Sequence, residues 1–427
     1  MMKFLKRRQL VSALAVVAAL ASAGAAYAQQ TTLRVFSGGA NQRPDLMRKL
    51  FDQYQAANPN VKIEMETGGA TSELQRQYLS TVLNAKDPAI DIFMIDIVNP
   101  AQYLAAGWIE PLNAYLGGQS PADVKKPYLP VYGQANVIDG KVAAMPAFAD
   151  AMFMYYRKDL LEKHKIAEPK TWDELTAAAR RIQQAEGQAN LQGLSIQGAP
   201  IEGAVCTFLL PYWSQGRDFN DAAGRMTLDK PTAVRGLQQW LTMVDQGVIK
   251  RNVAEVRTPD TVNEFKAGQV IFAINWGFAW DRFKDDADSQ VKGKVGVMPL
   301  PSMPGGRSAT CVGGWQWAVS AFSRSKGEAA KLVRYMSSPA ASKFLAVEGS
   351  LLPTYPQVYT DADVVRAVPW FKDAAAVVTA GRSRPMSERY GEVSDAIRTT
   401  TSAVLARTKT PQEGVDEIES RLRRVMR

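Results

Sequence analysis

Ile90-Asp91-Ile92-Phe93-Met94-Ile95-Asp96 is the stretch on which the fold turns. It is nearly continuous, apolar and β-branched, and it ends abruptly in an acid. A run of this kind suits a strand covered on both faces, as in sheets flanked by helices. Upstream, Leu33-Arg34-Val35-Phe36 reads as a first strand that stops at Gly38-Gly39. A helix is expected from Pro44, a residue suited to the first turn because its missing N–H is not needed there. Leu46, Leu50, Phe51 and Tyr54 share one helical face, and Asn58-Pro59 ends it. Val61, Ile63 and Met65 alternate with Lys62, Glu64 and Glu66, the signature of a half-buried strand. Leu74, Tyr78, Leu79, Val82 and Leu83 set a second helix. Strand, helix, strand, helix, strand implies an α/β sheet, and in such sheets ligands bind beyond the strand ends.

Further along, Val142 to Met145 and Met152 to Tyr156 read as two short strands around Pro146-Ala147-Phe148-Ala149-Asp150. Thr171-Trp172-Asp173-Glu174 opens a helix with the letters of a capping box. A second junction lies near Met298-Pro299-Leu300-Pro301 and Pro304-Gly305-Gly306, followed by a strand from Trp315 to Ser320. A third lies near Gln357 to Asp363. No internal repeat or low-complexity segment is present.

The first 28 residues have the layout of a secretory signal. Lys3, Lys6, Arg7 and Arg8 are followed by an apolar stretch from Leu10 to Ala21 and by Ala26-Tyr27-Ala28, with Gln29 as the expected new N-terminus. The apolar stretch falls short of the ~20 residues of a spanning helix, and no Cys stands nearby to carry a lipid. The remaining chain, about 400 residues, suits two domains better than one core. The full sequence carries a formal charge of +9, of which four leave with the signal; the remaining +5 is dispersed and has no nucleic-acid footprint. Two cysteines, Cys206 and Cys311, allow one disulfide in an oxidising compartment, or two buried thiols.

Composition also removes several chemistries. The single histidine, His164, sits in a charged helical run and is expected to be exposed, so neither a Ser-His-Asp triad nor a zinc site assembles convincingly. The phosphate loop, the dinucleotide fingerprint and the H-E-x-x-H motif are missing. Paired carboxylates remain available among 42 acidic residues, which keeps a secreted glycoside-active enzyme as the alternative class.

Several stretches together carry a resemblance. They are Gly107-Trp108-Ile109-Glu110-Pro111-Leu112, Tyr155-Tyr156-Arg157-Lys158-Asp159-Leu160-Leu161, Pro169-Lys170-Thr171-Trp172-Asp173-Glu174-Leu175, Asn275-Trp276, Gly313-Gly314-Trp315-Gln316-Trp317-Ala318-Val319-Ser320 and Ser383-Arg384-Pro385. In this order the chain resembles the family 1 extracellular solute-binding proteins of ABC sugar importers, the maltose-binding-protein-like group, and most closely its trehalose/maltose-binding branch. The resemblance implies a two-lobed α/β periplasmic-binding fold of type II, with three hinge crossovers and a ligand cleft between the lobes. The lobes are expected at 31–146 plus 308–360 and at 147–307 plus 361–427. It also implies a periplasmic monomer without cofactor or catalysis, whose partners are a sugar, expected to be a di- or oligosaccharide, and the transmembrane permease subunits. A non-sugar solute, or service to a chemosensory receptor, stays open.

A sugar needs planar polar groups for its hydroxyls and flat aromatic surface for its C–H faces. The resemblance places Asp96 and Asp150 as sugar-binding acids, with Phe148 beside Asp150 where an aromatic faces the ligand. Trp276 and Trp315 match stacking positions, Gly314 lets backbone approach the ligand, and Arg384 matches an arginine that bonds hydroxyls. Glu202 keeps an acid where an aromatic neighbour is lost to Ile201. Gly39, Asn41 and Gln42, after the first strand, are expected at the cleft mouth. Trp317 is expected in the core.

Overall fold

The structure is a computed structural model, and it describes residues 30–219 and 226–425. The signal sequence read at residues 1–28 lies outside the described residues. Strands β1 (Thr31–Phe36), β2 (Val61–Glu66) and β3 (Ile92–Asp96) are parallel neighbours, with β1 in the middle. After them come a small antiparallel hairpin, β4 (Val137–Ile138) with β5 (Lys141–Val142), and then the long strand β6 (Met145–Arg157). The remaining strands are β7 (Gln192–Ser195), β8 (Val270–Trp276), β9 (Val295–Met298), β10 (Cys311–Val319) and β11 (Arg382–Ser383). The sheet order is β2-β1-β3-β10-β6-β8-β7, with β11 on β10 and β9 on β6.

Strand β6 joins two sheets. Its first half pairs with β10, from Met145 to Ala151, and its second half pairs with β8 and β9, from Met152 to Arg157. The sequence pattern suggested two short strands here because Pro146 and Asp150 interrupt the apolar run. The structure shows one strand of 13 residues. Proline is tolerated in a sheet at a bulge, where no ladder N–H is required. Pro146 stands opposite Gln316, at the register shift between Trp315 and Gln316.

Other local expectations are corrected in smaller ways. Thr171 caps its helix by accepting from the Glu174 N–H at 3.2 Å, but the Glu174 carboxylate reaches past the cap to the Lys170 N–H, at 2.7 Å. In the helix Ser72–Asn84 the buried stripe is Gln75, Leu79 and Leu83, four residues apart, which leaves Leu74 48 % exposed rather than buried. His164 is largely covered and lies 2.5 Å from the Glu186 carboxylate.

Two large bodies of apolar side chains, and a smaller one around Phe36, Leu79, Leu83 and Phe93, flank the strands. The first gathers Leu33, Val35, Leu50, Phe51, Ile92 and Trp317 with the helices around β1 to β3. The second gathers Leu194, Ile271 and Phe272 with the helices Glu202–Ser214, Lys230–Asp245, Tyr390–Leu405 and Pro411–Val425. Glu202–Ser214 is buried along its whole length, as expected of a helix that is apolar on all sides. Among the described residues no helix is long and apolar enough to cross a membrane, and no cluster of three or more metal-ligating side chains occurs.

Cys206 and Cys311 are bonded, with Cα atoms 5.8 Å apart across 105 residues of sequence. The bridge ties the buried helix Glu202–Ser214 to the start of β10. Because it closes a long loop, its removal in the Cys206→Ala/Cys311→Ala variant should lower unfolding stability by about 2–4 kcal/mol in a denaturant titration.

Candidate functional site

The carboxyl end of β3 presents Asp96 between the two bodies. Both of its oxygens are engaged by Arg384: Nη2 donates to Oδ1 at 2.6 Å and Nη1 to Oδ2 at 3.1 Å, a bidentate fork. Ser72 Oγ, from the first turn of the helix after β2, also donates to Asp96 Oδ2 at 2.8 Å. Arg384 Nη1 donates in addition to Glu202 Oε1 at 2.9 Å. Glu202 opens the helix Glu202–Ser214 and also accepts from Ser394 Oγ at 2.7 Å and from the Tyr390 hydroxyl. A fixed ionic cluster therefore runs from one body to the other.

Burial alone would push the Glu202 carboxyl up. Arg384, Arg76 and the hydroxyls of Tyr390 and Ser394 outweigh it, and hold Glu202 below the ordinary carboxylate range. Burial works against the Arg384 charge, yet Asp96, Tyr390 and Glu202 keep the guanidinium well above its ordinary value. Arg384 is 1 % exposed, and its Nε finds no hydrogen-bond partner among the described residues.

Asp150 lies on β6, where the strand passes from one sheet to the other. Its Oδ1 accepts from the Gly277 N–H at 2.7 Å and from the Ala151 N–H at 2.9 Å. Those bonds favour the ionised form, but burial is larger, and the group is pushed up to about 7. Opposite, Gly313 and Gly314 bring the β10 backbone close. A Cβ on Gly313 would stand 2.6 Å from the Trp276 ring. Gly314 has φ +126°, a conformation suited to glycine, and a Cβ there would meet the Phe148 carbonyl at 2.7 Å. The Arg384 guanidinium carbon lies 5.8 Å from the Trp276 ring centre.

These groups surround a narrow cavity of about 70 Å³. Asp96, Asp150, Glu202 and Arg384 all line it, as do Trp276, Trp315 and Gly314; Asn41 and Gln42 stand at one side.

A profile of the bacterial extracellular solute-binding proteins matches residues 40–343. The chain belongs to that family. Among relatives of this solute-binding protein, a probable ABC transporter-binding protein of Deinococcus radiodurans is 33 % identical over 419 residues, 95 % of this chain and 96 % of that one. The maltose-bound structure of T. maritima MalE3 superposes with a TM-score of 0.85 at 32 % identity, covering 92 % of this chain and all of the other. The GacH receptor of Streptomyces glaucescens, solved unliganded and with acarbose, gives 0.81 at 23 % identity over 93 % and 98 % of the two chains, a likeness of fold. The solute-binding protein thus has the two-lobed periplasmic-binding fold.

Two expected residues are not in the cavity wall. Phe148 is 2 % exposed and packs in the first apolar body. Lacking a hydroxyl, its ring gains by burial. On β10, Trp315 lines the cavity while Trp317 is fully buried against Phe51. Gly39 serves packing: a Cβ there would stand 2.3 Å from the Gly69 carbonyl, and its N–H donates to Gln42 Oε1 at 2.7 Å.

The sequence reading overlooked Thr71, Ser72 and Glu73, which line the cavity from the start of the helix Ser72–Asn84, and Thr258 and Phe278 on the far side. The available signal for the first three was positional. They begin the helix that follows β2, at the ligand-binding end of a parallel sheet.

Proposed function

We propose that this protein is the exported sugar receptor of an ABC importer, acting outside the inner membrane as a monomer and delivering a di- or oligosaccharide to permease subunits. The reading rests above all on one observation. Trp276 and Trp315 flank a cavity whose other walls carry carboxylates and a buried guanidinium, the two kinds of surface a saccharide requires. The maltose-bound relative at 32 % identity supports it. The lobes are assigned to 31–146 plus 308–360 and to 147–307 plus 361–427. The chain crosses between them three times.

Binding follows from geometry. A ligand engaged from both lobes favours the closed form, because only that form completes its contacts. A saccharide lacking one bonded hydroxyl leaves a buried polar group without a partner, which is how the site discriminates. Asp96 has both oxygens bonded by Arg384 and one also by Ser72, so the Asp96–Asp150 pair lacks the free carboxylate that glycoside cleavage needs as nucleophile or base. This favours a receptor over an enzyme.

The test is a thermal-shift screen of the mature protein with maltose, trehalose, sucrose, glucose, xylo- and cello-oligosaccharides and polyols. A shift with one saccharide identifies the cargo. In Trp315→Ala the affinity for that saccharide should fall about tenfold by titration calorimetry, the scale of one lost aromatic face. No shift with any saccharide, or release of new reducing ends on incubation, would overturn the proposal.

A further inference from the structure

Two side chains on one turn of the helix Ser72–Asn84 reach across the cleft without being needed to form its floor. The helix is anchored in the first lobe through Leu79 and Leu83, which pack with Phe36 and Phe93. The helix Glu202–Ser214 and most of the helix Tyr390–Leu405 are anchored in the second apolar body. Glu73 Oε2 accepts from the Glu202 backbone N–H at 3.2 Å. Ile201, the residue in the capping position of that helix, contributes no side-chain bond. A carboxylate of one lobe therefore serves the N-terminus of a helix in the other, where a negative charge is favoured by the exposed N–H groups and the helix dipole.

Arg76, three residues on and so on the same face, acts beside it. Its Nη1 stands 3.6 Å from Glu202 Oε2, and its guanidinium carbon 6.0 Å from the Tyr390 ring centre. The side chain is 10 % exposed. It lies outside the cavity wall, in the crevice with Gly391 and Arg398. At Gly391 the lobes approach closely: a Cβ would stand 3.4 Å from the Gln102 amide nitrogen of the first lobe. Opening the cleft would strip the Glu202 N–H of its acceptor and pull Arg76 from both Glu202 and Tyr390.

We propose that Glu73 and Arg76 form a latch that holds the two lobes together in the ligand-free protein, and that Arg76 is thereby a positioning residue for binding. Affinity scales with the fraction of molecules already in the binding-competent form. Arg76, which unlike Glu73 lies outside the cavity wall, raises that fraction equally for every ligand.

Hydrogen exchange of the full mature chain without sugar tests the latch. In wild type the amides at the start of Glu202–Ser214 should be protected. In Arg76→Gln and Glu73→Gln they should exchange about tenfold faster, with a larger radius of gyration by X-ray scattering, while amides of β1 to β3 stay unchanged. Fast exchange in wild type, or equal exchange and equal size in both variants, overturns the proposal; faster exchange throughout β1 to β3 would mean general destabilisation and overturns it too. A second measurement rests on the sugar reading. For maltose and mannitol, Arg76→Gln should weaken binding by one common factor, carried by faster dissociation, and a change confined to one of them overturns the positioning role. The exchange measurement uses no sugar, so a failure of the sugar reading leaves the latch separately decidable.

Discussion

Arg384→Ala should lose about 3–5 kcal/mol of unfolding stability near neutral pH, because it leaves two buried acids facing each other without their cation. Asp96 and Glu202 are 6 % and 5 % exposed, and Arg384 bonds both of them. The cost is pH-dependent, and its sign is fixed by Glu202. In wild type that carboxyl titrates below its ordinary range, so its stabilising contribution is present above the unfolded-state value and is lost as pH falls through the lower folded value. Without the guanidinium, the strongest counterweight to burial is gone and the folded value rises. The variant's deficit should then be largest at about pH 8 and shrink toward about pH 5, where protonation relieves the repulsion. Denaturant titrations of the ligand-free protein at the two pH values check this. Arg384→Lys keeps the charge but cannot reproduce the two-pronged fork, and should fall between the two. Equal stability of Arg384→Ala and wild type across that range would show that the ionic cluster contributes nothing. For the same reason a loss of sugar binding in Arg384→Ala does not by itself report a contact with the sugar. The Lys variant, which folds with the cation in place, is the better probe of the unpartnered Nε.

The parts of the molecule that were legible from sequence are those governed by local pattern. The buried run ending at Asp96, the alternation in Val61–Glu66 and the helix opened by Pro44 each follow from a period and a boundary signal, and each is found. Strand β6 reads as two pieces in the sequence because Pro146 is permitted only beside a bulge at Ala147, which forms against a partner some 170 residues away, and no local rule reports that partner. The site shows the same division. The resemblance names Asp96, Glu202 and Arg384 individually as sugar ligands, and all three line the cavity, but no local pattern signals that they bond first to one another. Pairing of this kind is a tertiary property: Glu202 and Arg384 are 182 positions apart. Phe148 is named by the resemblance, which sets an aromatic two residues before Asp150, and its burial in the first apolar body is a tertiary property that no local pattern reports. Arg76 and Tyr390 escaped notice because each stands on an ordinary amphipathic helix and acquires meaning only when the lobes meet.

Replacing Asp150 by Asn should stabilise the ligand-free protein at alkaline pH. In the folded chain the Asp150 carboxyl is pushed up to about 7, mainly by burial, against an ordinary value of 3.8. A group whose folded value is raised favours the native state fully below the unfolded value, and that advantage is lost as pH rises through the folded value. At about 1.4 kcal/mol per pH unit, ionising this buried acid costs the native state about 4 kcal/mol by about pH 8. Asn carries no charge to bury, and its carbonyl can still accept from both Gly277 and Ala151, as Oδ1 does now. Wild type and Asp150→Asn should therefore be closely matched at about pH 4 and diverge in favour of the variant as pH rises, in parallel denaturant titrations. Ligand binding reverses the balance. Because Oδ1 is committed to backbone, the other oxygen is the one available to the cavity, and a saccharide hydroxyl donating to it favours the ionised form. Sugar binding at about pH 6.5 should then release a proton, seen as a calorimetric enthalpy that depends on the ionisation enthalpy of the buffer, and Asp150→Asn should show no such dependence. A binding enthalpy in wild type that is the same in every buffer would remove Asp150 from the ligand contacts and leave it as a buried acid bonded to backbone alone.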